Sequence, residues 1–285
     1  MQRIVAGVLA VALPVLAGAS AASAADPDLV KKGELFFHIG GCTDCHTRKD
    51  GPLLAGGDPI NTPFGTFYPP NITPDPETGI GGWSEADFIR AMHEGVSPEG
   101  EPYYPAFPYT SYTKVSEEDL KALKAYLDTI PPVKQASRPH ELSFPYNQRW
   151  AMRFWQWAFF APGRFEPDPA RDAAWNRGAY LVQGFGHCGE CHTPRNALGV
   201  PEADRAFTGA QLGKEKVPNI TGDPAVGLGK WSEDDIVTLL KLGMTPDGDF
   251  VGSDMAKVVK NNTSPLPDED LRAIATYLKS LPPAR

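Results

Sequence analysis

The sequence predicts a mostly α-helical protein built from two copies of one module, joined by an aromatic-rich linker. Three observations carry this. First, strings recur at a near-constant offset: Asn71-Ile-Thr73 returns as Asn219-Ile-Thr221, and Trp83-Ser84-Glu85 as Trp231-Ser232-Glu233, both 148 residues on. Gly95 and Gly100 pair with Gly243 and Gly248 at the same offset. Second, the end of each copy carries apolar residues at helical spacing: Leu120, Leu123 and Leu127, then Leu271, Ile274 and Leu278. Third, Gly and Pro total 57 of 285 residues, which requires long loops and short helices.

Taken in chain order, residues 1–24 read as a secretory signal peptide, with Arg3, an apolar run from Ile4 to Leu16, and small residues ending at Ala22-Ser23-Ala24. The run is shorter than the ~20 residues that span a bilayer. Module 1 covers 26–135, the linker 136–168 and module 2 169–285. Residues 27–38 and 169–183 form the opening helices. Ser84 and Ser232 are N-caps, each with an Asp three residues on. Ser116 and Pro267 open the closing helices. The Pro- and Gly-rich stretch from Asn61 to Gly82 holds neither a long helix nor a central strand, and Asn-Ile-Thr reads as a tight turn.

The net charge is −8, and removal of Arg3 with the signal peptide takes the mature chain to about −9. An acidic chain is a poor match for phosphate backbones, so nucleic acid is excluded as a partner. The same charge favours partners with basic faces.

The chemistry lies in the cysteines. All four fall in two Cys-x-x-Cys-His motifs, Cys42-Thr-Asp-Cys45-His46 and Cys188-Gly-Glu-Cys191-His192. Two thiols three positions apart on one turn reach both vinyl groups of one porphyrin, and the following His reaches the iron. The alternatives are weaker. Two disulfides fit the count alone. A Cys₄ zinc site brings its pairs within ~20 residues, whereas Cys45 and Cys188 are 143 apart. The expected cofactors are therefore two covalently bound haem c groups, each module reads as a class I cytochrome c unit, and no free thiol remains for catalysis or ligation.

His46 and His192 supply the proximal bonds. For haem 2, Met255 lies on a loop before the closing helix, where a distal Met is expected. Its competitor Met244 aligns with Val96 and reads as core. In module 1 the position equivalent to Met255 is Phe107, which cannot ligate iron. The candidates for haem 1 are Met152, Met92, His93 and His140, or no ligand at all. Met92 aligns with Leu240 and reads as core, and His93 aligns with Lys241 and reads as exposed. Met152, soft and without a core counterpart, is favoured. His38 and His187 flank the motifs and read as hydrogen-bonding neighbours of haem.

In the linker, Trp150, Phe154 and Trp157 share one helical face. It reads as a strap packing the modules, as a docking helix or as a membrane-surface helix. The strap is preferred, because Arg149, Arg153 and Arg164 alone make a weak polar face.

With these motifs in view the chain resembles the multihaem cytochrome c subunits of periplasmic, membrane-associated quinoprotein, flavin and molybdenum dehydrogenases. The carriers are both haem motifs, Asn71-Ile-Thr-Pro74, Thr78-Gly-Ile-Gly-Gly-Trp83, Tyr104-Pro-Ala-Phe-Pro-Tyr109, Asn176-Arg-Gly-Ala-Tyr-Leu181 and His187-Cys-Gly-Glu-Cys-His-Thr-Pro194. It departs from the group in having two haem motifs where three are typical. The resemblance implies a non-catalytic, exported dihaem cytochrome in the periplasm. It would take single electrons from a periplasmic dehydrogenase and pass them to a cytochrome, a quinone-linked complex or a terminal oxidase. A rival reading is a dihaem peroxidase-like enzyme with an open haem 1, motivated by Phe107.

Overall fold

The computed structural model describes residues 26–283; the expected signal peptide lies outside them. Helix α1 (Pro27–Ile39) starts where the Asp26 carboxylate accepts the Asp28 amide at 3.0 Å and Pro27 supplies a preset φ. It ends at Gly40, and Gly41 turns the chain with φ 61° into the short helix α2 (Cys42–His46). A small hairpin follows, β1 (Ile60–Thr62) with β2 (Gly65–Phe67), joined later by β3 (Glu141–Leu142). Helix α3 (Glu85–Glu94) has the expected capping box between Ser84 and Asp87 and ends at Gly95 with φ 64°. The short α4 (Tyr109–Tyr112) leads to α5 (Glu117–Leu127), capped by Ser116.

After α6 (Met152–Phe159) the same order returns. It comprises α7 (Ala173–Gln183), α8 (Gly189–His192), the hairpin β4 (Ala210–Leu212) with β5 (Glu215–Val217), α9 (Glu233–Leu242), α10 (Ser253–Val258) and α11 (Asp268–Ser280). The Ser232–Asp235 capping box and Gly243 at φ 74° repeat the boundaries of α3. Gly100 and Gly248 both sit at φ 85°. Helix α7 starts later than the pattern predicts. Asp168, Arg171 and Asp172 spend their backbone carbonyls on the Asn176 side chain, and the Asp172 carboxylate caps the Trp175 amide at 2.8 Å. The hairpins were not expected, because each strand has only three residues and none alternates cleanly in burial.

In each half the first helix crosses the last, α1 on α5 and α7 on α11. Both crossings are made at a glycine. A Cβ on Gly33 would fall inside the Ala122 carbonyl oxygen, and one on Gly178 inside that of Ala273. The halves share one core. Phe36 (1% exposed) stacks on Phe185 (1% exposed) with ring centroids 4.5 Å apart. Around this stack, Lys32 pairs with Asp119 at 2.6 Å, Tyr180 donates to the same carboxylate, and the Ser116 amide donates to the Tyr180 hydroxyl at 3.1 Å.

Two expectations are corrected. His93 is buried, not exposed: its Nε2–H donates to the Val115 carbonyl at 2.9 Å, which satisfies the ring inside the protein. Met244 is half-buried rather than core, because it sits in the bridge opposite Phe250, at the edge of the loop after α9. Met92 is core, as read.

Candidate functional site

The two Cys-x-x-Cys-His segments occupy equivalent short helices. Cys42, Cys45 and His46 lie on α2; Cys188 precedes α8, which carries Cys191 and His192. All four thiols are free of disulfides. Desolvation pushes the Cys42 and Cys188 thiols up to about 12, and Cys45 up to about 11, so they are protonated at neutral pH.

The histidines are held alike. His46 Nδ1–H donates to the Pro70 carbonyl at 2.7 Å, and His192 Nδ1–H to the Pro218 carbonyl at 2.8 Å. Desolvation lowers both pKa values, against the opposing pull of the carbonyls. The result at each is a neutral imidazole with its proton fixed on Nδ1 and a free lone pair on Nε2. Each prolyl carbonyl precedes an asparagine that anchors its loop. Asn71 Oδ1 accepts from the Thr73 amide and hydroxyl, and Asn71 Nδ2 donates to the Val133 carbonyl at 2.8 Å. Asn219 accepts the same pair from Thr221.

A second clamp was missed from sequence. Thr47 and Thr193, the residues after each His, accept the backbone N–H of Leu54 (3.0 Å) and Phe207 (3.1 Å). Leu54 and Phe207 are held at φ 59° and 63°, a left-handed conformation costly for a side-chain-bearing residue. Their carbonyls accept the amides of Ile72 and Ile220, closing the loop over the motif. The shared His-Thr dipeptide was the available signal; the positive φ has none, since neither residue is Gly or Asn.

The structure brings the two motifs close. His38 Nδ1–H donates to the Asn261 carbonyl at 3.1 Å and Asn261 reaches Asp44 at 2.5 Å, while His187 Nε2–H donates to the Gly40 carbonyl at 3.3 Å. The flanking histidines therefore tie each motif to the opposite half.

The distal candidates divide. Met255 is half-buried against the core, and it sits on α10, not on a loop, because Gly252 and Ser253 (φ 51°) turn the chain into a short helix there. Phe107 is half-buried among Tyr103 (5.6 Å), Tyr112 (5.7 Å) and Tyr109 (6.4 Å). Of the alternatives, His93 donates through Nε2 to Val115, and His140 Nδ1 accepts the Tyr68 amide at 3.2 Å, which puts its proton on Nε2. Met92 is committed to the core. Met152 is half-buried at the start of α6.

Paired free thiols followed by a neutral imidazole with an open Nε2, twice in a small helical fold, are the donor set of a covalently bound haem, and they define the class as a c-type cytochrome. A cytochrome c family model matches residues 176–282. The chain is 48% identical over 272 residues to a "Diheme cytochrome c-type" protein of Cereibacter sphaeroides, covering 90% of each. It is 43% identical over 287 residues to the "Alcohol dehydrogenase (quinone), cytochrome c subunit" of Gluconacetobacter polyoxogenes, covering 96% of this chain and 61% of that one. It is 42% identical over 286 residues to the "Gluconate 2-dehydrogenase cytochrome c subunit" of Pantoea cypripedii, covering 96% and 64%. The chain belongs to the dihaem c-type cytochromes. It is an electron-transfer protein carrying covalently bound haem c, not a catalytic subunit. It spans less than two thirds of the length of those two dehydrogenase subunits.

Proposed function

We propose that this chain is an exported, periplasmic dihaem cytochrome that relays single electrons from a dehydrogenase to the respiratory chain. Its units are a signal peptide over 1–24, class I cytochrome c modules over 26–135 and 169–285, and the linker over 136–168. Cys42 and Cys45 hold one haem and Cys188 and Cys191 the other; His46 and His192 are the proximal ligands, and Met255 is the distal ligand of the second. Each haem, when bound, supplies a one-electron iron couple. The chain's own contribution is to fix the ligand tautomers and keep the two sites close. The Pro70 and Pro218 carbonyls hold the Nδ1 protons, so the Nε2 atoms need no reorganisation between oxidation states. The cross-half bonds from His38 and His187 hold the motifs at one spacing. On this reading the donor is a periplasmic dehydrogenase of the kind its relatives serve, and the acceptor is a cytochrome, a quinone-linked complex or a terminal oxidase.

The observation that carries the proposal is the doubled histidine clamp, 2.7 and 2.8 Å, behind two motifs of the same Cys-x-x-Cys-His pattern. The test is intact mass together with pyridine haemochrome on the protein purified from the periplasm. Two haems per chain, an N-terminus beyond residue 24, and one haem in the Cys188→Ala/Cys191→Ala variant are expected. One haem in the unmodified protein, or a chain retained in the cytoplasm, would overturn it.

A further inference from the structure

Haem attachment needs the two cysteines and the histidine of each motif and leaves the two residues between the cysteines free. The second of these is nevertheless acidic both times, Asp44 and Glu190, and both carboxylates bond to the opposite half. The helix dipole favours an acid in the first turn of α2 and α8 whichever way it points. The shared direction calls for another reason.

Asp44 Oδ1 accepts the Nδ2–H of Asn261, far along the chain in the second half. Asp44 Oδ2 is buried with no partner among the described residues, so the carboxylate is committed to that one bond. The Asn261 carbonyl accepts His38 at 3.1 Å, again from the first half. Its neighbour Asn262 lies over Gly41, where a Cβ would come within 2.7 Å of Asn262 Nδ2. Both asparagines belong to a π-helical turn, Val259–Thr263, closed by the Ser264 amide on the Val259 carbonyl at 2.8 Å. That turn continues α10, the helix of Met255, without a break. A π turn inside a helix is rare and is found mostly at functional positions. Here it lays two consecutive asparagines on the first motif.

The second motif repeats this in the other direction. Glu190 Oε1 accepts the hydroxyls of Ser111 at 2.9 Å and Thr110 at 3.2 Å. Both lie on α4, just after Phe107, the repeat counterpart of Met255. Each attachment turn therefore grips the segment beyond the distal position of the other half.

We propose, on the reading above that Met255 closes the second haem, that Asp44 and Glu190 are reciprocal positioning residues. Asp44 in the first motif braces the distal segment of the second haem, and Glu190 in the second motif braces that of the first. Distal coordination at either site then depends on the attachment turn of the other.

The test is imidazole titration of the ferric holoprotein, with two haems per chain established by pyridine haemochrome. The readout for the second haem is the part of the sulfur-to-iron charge-transfer band that Met255→Ala removes. In Asp44→Ala, imidazole should displace Met255 about tenfold more readily, the equivalent of one hydrogen bond. Asp44→Asn keeps an acceptor for Asn261 and should behave as the parent. Asn261→Ala breaks the same bond from the other side and should match Asp44→Ala, with no further effect in the double variant; it also serves if Asp44→Ala fails to mature. Glu190→Ala should tighten imidazole binding at the first haem and leave the Met255 band in place. An unchanged imidazole affinity at the second haem in Asp44→Ala and Asn261→Ala overturns the proposal. So does an equal loosening of both haems by either variant, which is general destabilisation. A parent band that Met255→Ala leaves intact overturns the assignment of Met255 itself, and the brace with it.

Discussion

Phe36 of the first half stacks on Phe185 of the second at 4.5 Å with planes 21° apart, and both rings are 1% exposed. This pair joins what would otherwise be two small cores. Phe185→Ala is expected to lower unfolding stability by about 3–5 kcal/mol, measured by urea denaturation. The transition should remain single when followed by probes in either half; two separated transitions would show that the halves hold themselves up independently.

The Thr193 hydroxyl accepts the Phe207 amide, and the threonine is 4% exposed. Thr193→Val keeps the shape and strands a buried N–H, at a cost of about 1–3 kcal/mol. The same exchange at Thr47, which serves Leu54, should cost a similar amount, and loss of both should weaken retention of the two loops together. Thermal melting of the two single variants and the double variant measures this.

Ser84→Ala and Ser232→Ala each remove a cap from an equivalent helix, α3 or α9. Each should cost about 1 kcal/mol. The sites share no partner, so the double variant should lose the sum. Strong non-additivity in equilibrium unfolding would contradict the equivalence of the two caps.

His93 titrates below its ordinary value near 6.5, because burial and then the Arg164 guanidinium disfavour its charged form. The unfolded chain therefore binds this proton more readily than the folded one. Its contribution to stability is complete above the ordinary value and is lost as pH falls below it toward the folded value. The urea midpoint of the parent should fall between pH 7.5 and 5.5 by more than that of His93→Gln. An equal fall in both would remove His93 from the account.

His93 and His140 carry their protons on Nε2 and Met92 is in the core, so of the candidates for the first haem Met152 or no ligand remains, and Met152 is the one we propose. Low-temperature electron paramagnetic resonance of the oxidised holoprotein should show low-spin iron at both sites. Met152→Ala should convert one to high spin, and Phe107→Met in that background should restore it. A high-spin signal already present in the parent protein would show the first site open.

Much of this was legible because the chain states it twice. The capping serines, the glycines that end α3 and α9, and the haem motifs recur at fixed offsets, and local physics at each copy is the same. Three things were not legible. The burial of His93 depends on the Val115 carbonyl, 22 residues away, and its repeat partner Lys241 reaches solvent by a different route. The left-handed Leu54 and Phe207 violate local preference, and only the threonine clamp and the loop behind it hold them there. The linker was read as a strap. It does reach both halves, through Phe160 on Tyr109 and Phe165 on Tyr180, but Trp150, Phe154 and Trp157 point away from both, because helical spacing shows a shared face and not what covers it.

The continuous core through Phe36 and Phe185 also has a cellular reading. A copy that matured on one side only would have no self-sufficient half to shelter in. Maturation at one site is thus coupled to the whole chain, so that loss of either site should lower the stability of the entire molecule and not of one half alone.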